Sequence, residues 1–434
     1  MQLSVRRGSF LRNVALLMTG TAVGQIMTAA AAPLLSRIYS PDEFGLLGVF
    51  AATAAIFGNI AALKYELAIV VPKSERDAVN VFALGVAVVV GMALVTAGLV
   101  GIFGDPFSNL LRSPGLRPVL WYLPFHVLVF GIYQVLSYWN TRCGQFARQA
   151  ASRMCRSAGT VATQIACGLA QVPSNGLVIG QLTGQAVALA ALAIQFARDD
   201  LSRVRNNLSP SKILDTARQY IAFPRYNTPQ TLVNSISQTI PAFLLGTLFG
   251  PTVVGLYWFT HRLLYMPIDL ITQSVRQVFF HRASHLYNSG GDVWALLWRA
   301  TAGLCLIGML PTLIILVGGS SLFGFIFGED WAPGGAYARW LMLWFFFAFI
   351  NAPSVMLIPL YNLQKLHAVY ELFLLCMRIG AIYIGGLIGG ELLAVAAFAL
   401  VGVVFNALLI ATIFMITYQG RVRAAPVPLA GQES

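Results

Sequence analysis

Long apolar runs separated by short polar connections repeat along this chain from one end to the other. A helix needs roughly 20 mostly apolar residues to cross about 30 Å of hydrocarbon, and runs of that length facing lipid must be helical to satisfy their backbone groups. The pattern predicts twelve spanning helices, at 11–36, 44–70, 79–104, 118–138, 154–172, 176–197, 221–249, 253–280, 294–320, 335–361, 367–388 and 392–417. The expected organisation is an N-terminal six-helix lobe (1–200), a basic linker (201–220), a second six-helix lobe (221–420) and a tail (421–434) expected to be disordered. The fold class is therefore an all-α polytopic membrane protein.

Composition removes the alternatives. Hydrophobic residues make up 57% of the chain and charged residues only 10%, against about 25% charged in ordinary globular proteins. The net charge of +12 is spread between apolar runs rather than gathered in a patch, so no nucleic-acid partner is expected. Lys and Arg set the orientation. With the N-terminus inside, 19 of the 28, including Arg142, Arg148, Arg153 and Arg156, fall on the inner side. Three (Arg37, Arg112, Arg117) fall outside, and the remaining 6 (Lys64, Arg225, Arg262, Arg299, Arg339, Arg378) lie within spans. Both termini are expected to be cytoplasmic. The first span is longer than a signal-peptide core and reads as uncleaved.

Catalytic motifs are missing from the sequence. It contains no Walker A, H-E-x-x-H or G-x-S-x-G, and the expected outer connections are too short for a catalytic domain. The five cysteines form no C-x-x-C pair and read as small packing residues. His281 and His285 stand at i, i+4 with no acidic or Cys partner nearby, and read as a solvated basic helix end rather than metal ligands. No catalytic residue, metal or cofactor is expected.

The two halves share traces of a repeat. Arg12 and Gln25 recur as Arg225 and Gln238, and the Pro41–Gly45 turn of SPDEFGLL recurs as Pro251–Gly255 in GPTVVGLY. Spans 1 and 7 enter from the same side, so the repeat is parallel, which places a central substrate cavity between two lobes.

At these residues the chain resembles the oligosaccharide (Wzx-type) flippases of bacterial polysaccharide export, in the multidrug/oligosaccharidyl-lipid/polysaccharide (MOP) superfamily. IYSPDEFGLLGV (38–49), KYELAIVVP (64–72, with Lys64 where the family often has Arg) and the stretch from FPRYNTPQ through TIPAFLLGTLFGPTVVGLYWFTHRLLYMP (223–280) carry the resemblance. Lipid II flippases of the superfamily typically add two C-terminal spans that this sequence lacks. The resemblance implies two six-helix lobes, V-shaped around a central cavity and working by alternating access in the bacterial inner membrane. The cargo would be an undecaprenyl-diphosphate-linked oligosaccharide, moved from the cytoplasmic to the periplasmic leaflet and coupled to a proton or sodium gradient. The other implied partners are membrane lipid, a polysaccharide polymerase and chain-length machinery.

Embedded polar residues are the candidate site, because a charge at bilayer depth is costly and tends to face a cavity or another charge. A diphosphate calls for cations, best supplied by Arg. Arg262, Asp269 and Arg276 are seven residues apart and fall nearly in line on one helix, at intervals of about 10.5 Å. Arg225, Lys64, Arg299, Arg339 and Arg378 complete the cationic set, while Gln25, Asn227, Thr231, Asn234 and Gln238 form a polar set. Interhelical hydrogen bonding is the competing role for the polar set. Lys64 and Glu66 would lie on opposed faces of a continuous helix and are not expected to pair with each other. Glu66 reads as a titratable coupling group or as half of an ion pair with another span; Asp269 and Glu371 are the other coupling candidates. Gly176, Gly180 and Gly184, with Gly385 and Gly389, are assigned to close helix packing. A multidrug cation antiporter would want carboxylates, but the span cations outnumber Glu66, Asp269 and Glu371. A membrane polymerase is the remaining alternative.

Overall fold

The computed structural model describes residues 7–172 and 175–424, and every regular element among them is helical. The elements are α1 (Arg7–Ile38), α2 (Pro41–Asn59), α3 (Tyr65–Ala68), α4 (Glu75–Leu110), α5 (Leu116–Leu120), α6 (Tyr122–Arg142), α7 (Phe146–Leu169), α8 (Gly176–Asp199), α9 (Leu201–Asn207), α10 (Ile213–Gln219), α11 (Thr228–Phe249), α12 (Pro251–Asn288), α13 (Val293–Phe327), α14 (Ala332–Ile350), α15 (Ala352–Leu357) and α16 (Gln364–Ala424). A π turn at Phe223–Asn227 leads into α11. Seven helical stretches among the described residues are long and apolar enough to cross a bilayer by length and composition. The chain is a helical, multi-pass membrane protein. Helix continues to Ala424, past the start of the expected tail, and residues 425–434 lie outside the described residues.

Local chemistry sets the helix ends. Ser40 caps α2, with its backbone N–H donating to the Glu43 carboxylate at 2.9 Å and Pro41 filling the first turn. Ser74 accepts from the Asp77 N–H at 3.0 Å at the head of α4, and Asp292 does the same for Ala295 at α13. Inside α16, Gly390 has φ 72° and reverses the chain. A Cβ at Gly385 would sit 2.9 Å from the Leu393 carbonyl, so 364–388 and 391–424 are two legs of a hairpin.

The chain divides into two compact units, Met1–Trp258 and Phe259–Ser434. In the first unit, the fully buried Trp139 packs edge-on against Phe82 at 5.3 Å, and Phe82 stacks on Phe196. α7 and α8 run together as a close seam. A Cβ at Gly184 would lie 2.6 Å from the Arg156 carbonyl, and one at Gly180 would meet Gln164 and the Thr160 carbonyl. Between lipid-facing helices, close approach of this kind is a main source of association. Gly184→Leu is expected to cost about 1–3 kcal/mol by overpacking, read as a fall in folded protein by size-exclusion chromatography of solubilised membranes.

The repeated turns meet within this unit. A Cβ on Gly45 would run into the Pro251 carbonyl, and a Cβ on Gly255 into the Pro41 carbonyl, so each glycine admits the other turn's first residue. Thr252 donates to Asp42 across the same contact. Both prolines open helices, α2 and α12. The Pro–x–x–x–Gly spacing therefore builds a reciprocal crossing of two helix starts.

In the second unit, α13 and α14 pack through a similar pair. A Cβ at Gly319 would lie 2.6 Å from the Gly335 carbonyl, and Gly335 in turn faces the backbone of Gly319 and Ser320. Leu297, Leu357 and Ile413 form the buried floor of a cluster shared by α13, α15 and the second leg of α16.

Candidate functional site

In the first unit, the chain leaves helical geometry at the end of α2, where Leu63 and Lys64 both take left-handed backbone, φ 46° and 64°. This overturns the expected separation of Lys64 and Glu66. The break ends the regular 100° step between residues, and Lys64 Nζ comes within 3.6 Å of a Glu66 carboxylate oxygen. Glu66 is 1% exposed, and its second oxygen has no hydrogen-bond partner among the described residues. The ion pair is local, not drawn from another span. Asn59, just before the break, donates to Ser235 of α11 at 3.0 Å.

The polar set lies mostly along α11. Asn227 closes the π turn ahead of the helix, Thr231 is half-buried, and the exposed Gln238 donates to the exposed Asn234 at 3.3 Å. Arg225 is exposed within the π turn, over the Tyr226 ring at 5.7 Å. Gln25, the repeat counterpart of Gln238, is half-buried on α1, and its Oε1 has no hydrogen-bond partner among the described residues. The Arg12 side chain lies outside the described residues.

In the second unit, Arg262, Asp269 and Arg276 are all half-buried on the continuous α12. Gln273 donates to Asp269 at 2.7 Å and extends the same stripe. Pro267 interrupts the helix ladder between Arg262 and Asp269. Arg276 Nε has no hydrogen-bond partner among the described residues. Arg378 on the first leg of α16 stands over Trp344 at 4.6 Å and Phe398 at 5.1 Å. His261 joins this group, 6.0 Å from Trp344 and 5.1 Å from Phe345. Aromatic faces stabilise a guanidinium without neutralising it.

The other candidates fall elsewhere. Arg339 reaches the Val317 carbonyl of α13 at 3.4 Å. Arg299 is exposed six residues into α13. Glu371 pairs with His367 one turn away at 3.6 Å and is more than half exposed.

The structure also lengthens one expected helix. The helix expected at 154–172 begins at Phe146, so Arg153 as well as Arg156 lies within it. Arg156 lies ten residues in, about 15 Å along the axis, and its carbonyl faces Gly184 of the apolar α8. The signal was present in the sequence. Gln149, Ser152, Arg153, Arg156, Thr160 and Gln164 recur at helical spacing, but they depress the average hydropathy by which spans were bounded. Sequence reasoning also missed Trp344, His261 and Tyr265, whose aromatic character reads as ordinary core.

Arginines at the expected inner ends are paired differently. A cavity of about 770 Å³ is lined by Lys73, Glu75, Arg148, Asp199, Asp200 and Arg203, among others. Arg148 binds Asp199 at 2.5 Å and Asp200 at 3.4 Å, and Arg203 binds Glu75. Arg142 donates to the carbonyls of Ile69 and Pro72 at 3.1 and 2.7 Å. Burial and the neighbouring Asp200 push the Cys143 thiol above its ordinary pKa. These contacts form a clasp in which α7 and α9 are tied to acids at the ends of α8 and α4.

Against known proteins, residues 34–334 match the family described as polysaccharide biosynthesis protein. The chain belongs to that family. No curated protein matches its sequence. Among solved structures, it is similar to a multidrug resistance MATE family transporter of the MOP superfamily in an inward-facing conformation. The TM-score is 0.73 at 14% identity, covering 96% of this chain and 100% of the other. It is similar also to the lipid II flippase MurJ in an inward closed conformation, at TM-score 0.68 and 11% identity, covering 95% and 91%. A MOP superfamily transporter from Pyrococcus furiosus, described with a binding pocket of reverse polarity, aligns at TM-score 0.60 and 13% identity over 94% and 96%. At these identities the likeness establishes the fold, which is that of MOP superfamily transporters.

Proposed function

We propose that this protein is a flippase for an oligosaccharide linked to undecaprenyl diphosphate, moving it from the cytoplasmic to the periplasmic leaflet of a bacterial inner membrane by alternating access. The observation that supports this most strongly is the half-buried cationic stripe of α12, in a chain of the polysaccharide biosynthesis family. An arginine at bilayer depth is costly unless it meets an anion or another compensating group, and a diphosphate offers bidentate oxygens for Arg262 and Arg276. Arg378, within its aromatic box, is a further cation of the second unit; Lys64 and Arg225 are candidate cations of the first. Gln25, Thr231, Asn234 and Gln238 supply hydrogen bonds for sugar hydroxyls. Asp269 and Glu66 are the carboxylates through which a proton or sodium gradient would couple. A polymerase and chain-length machinery would act on the product in the outer leaflet.

A deletion strain tests this reading. Extracted lipid-linked oligosaccharide should accumulate as complete units inaccessible to a membrane-impermeant glycan probe. Units that reach the periplasmic face and stay unpolymerised would identify a polymerase and overturn the flippase.

A further inference from the structure

Arg153 and Arg156 sit one turn apart on α7, on a helix face that also carries Gln149, Ser152 and Thr160. Like charges at this spacing repel, and the repulsion grows as water is withdrawn. Each has a neutral partner. Arg153 donates to Thr21 Oγ1 of α1 at 2.8 Å, and Arg156 to Gln185 Oε1 of α8 at 3.4 Å. Neutral oxygens satisfy N–H groups but cancel no charge, and a guanidinium does not deprotonate in proteins. Among the described residues no carboxylate pairs with either arginine, in contrast to Arg117, Arg148 and Arg203, which each hold an acid.

A further donor is left over beside Arg156. Gln185 is 3% exposed, and its Nε2 has no hydrogen-bond partner among the described residues, although its Oε1 accepts from Arg156. Arg156 is exposed and Arg153 half-buried, so an anion can reach both. Two cations and a buried amide donor without an acceptor are complementary to an oxyanion.

We propose that Arg153, Arg156 and Gln185 form an anion site inside the first unit that takes a phosphate or diphosphate group. Naming a lipid-linked diphosphate as one source rests on the flippase reading; free phosphate-type anions are the other source, and the site itself does not depend on that reading. Arg156 would hold one phosphate as a fork, with Gln185 Nε2 donating beside it, while Arg153 neutralises the second charge.

The test uses the purified full chain in lipid nanodiscs, with inorganic pyrophosphate and farnesyl diphosphate titrated calorimetrically. Arg156→Gln and Arg153→Gln are each expected to weaken binding by about tenfold, while Arg203→Gln, which breaks only the Glu75 pair, leaves it unchanged. Equal loss with both probes supports a site for diphosphate as such. Loss with farnesyl diphosphate alone supports the lipid-linked source. Wild-type binding of both probes by both α7 variants overturns the site. Should the Gln variants fail to fold, phenylglyoxal labelling of the wild type read by mass spectrometry decides. Pyrophosphate should protect Arg156, and equal labelling with and without it overturns the proposal. Binding at these arginines without trapped cargo in the deletion strain would leave the site standing and remove the flippase.

Discussion

Replacing Arg262 by Ala is expected to cut surface polysaccharide by about tenfold or more while leaving protein abundance unchanged. Arg262 is half-buried on α12, two turns from Asp269 and four from Arg276 along one face. On the proposed function, the cost of a half-buried guanidinium would be offset by the anionic cargo it meets. Truncation removes a charge-assisted donor from the cargo-bound state, so the loss falls on transport rather than folding. Arg262→Lys should recover only part of the output, because the ammonium keeps the charge and loses the planar fork. Arg299→Ala, at an exposed position near the start of α13, should have little effect. Polymer output and protein level would be measured together by immunoblot; intact output in both Arg262→Ala and Arg225→Ala would remove these cations from the cargo path.

Gly255→Leu is the second substitution with a large expected effect. The Gly255 Cβ position runs into the Pro41 carbonyl, and the reciprocal Gly45 position into the Pro251 carbonyl. The obstruction is backbone, which cannot rotate aside as a side chain can, so the two helix starts would have to separate. The expected cost is about 1–3 kcal/mol or more, with loss of the Thr252–Asp42 hydrogen bond. Transport should fall at least as far as in Arg262→Ala, through altered packing rather than altered charge. A Cys pair at positions 42 and 252 reports the contact. Its cross-linking should be efficient in the wild-type background and sharply reduced with Gly255→Leu, and undiminished cross-linking would contradict the crossing.

Seven of the helical stretches were legible from apolar length, because lipid imposes one backbone solution on long apolar runs. The glycine seam at Gly180 and Gly184 was legible for the same reason, since small residues at every fourth position mark one close face. Lys64 and Glu66 were not, because their pairing depends on two consecutive left-handed residues that no motif announces. Arg153 and Arg156 were hidden by averaging. A helix that carries a polar face looks, in a hydropathy window, like the edge of a loop. The Pro–x–x–x–Gly repeat was visible as a pattern, but its meaning, a mutual approach of two turns, required the fold.

Reconstitution measures the central claim most directly. The purified chain would be placed in liposomes containing a lipid-linked oligosaccharide bearing a fluorophore on its glycan, and the fraction quenched by an impermeant reductant followed over time. The account predicts rapid protein-dependent quenching of the inner-leaflet pool, slowed by Arg262→Ala. Quenching that stops at the outer-leaflet pool under both proton and sodium gradients, in liposomes whose protein is folded by size exclusion, would contradict it.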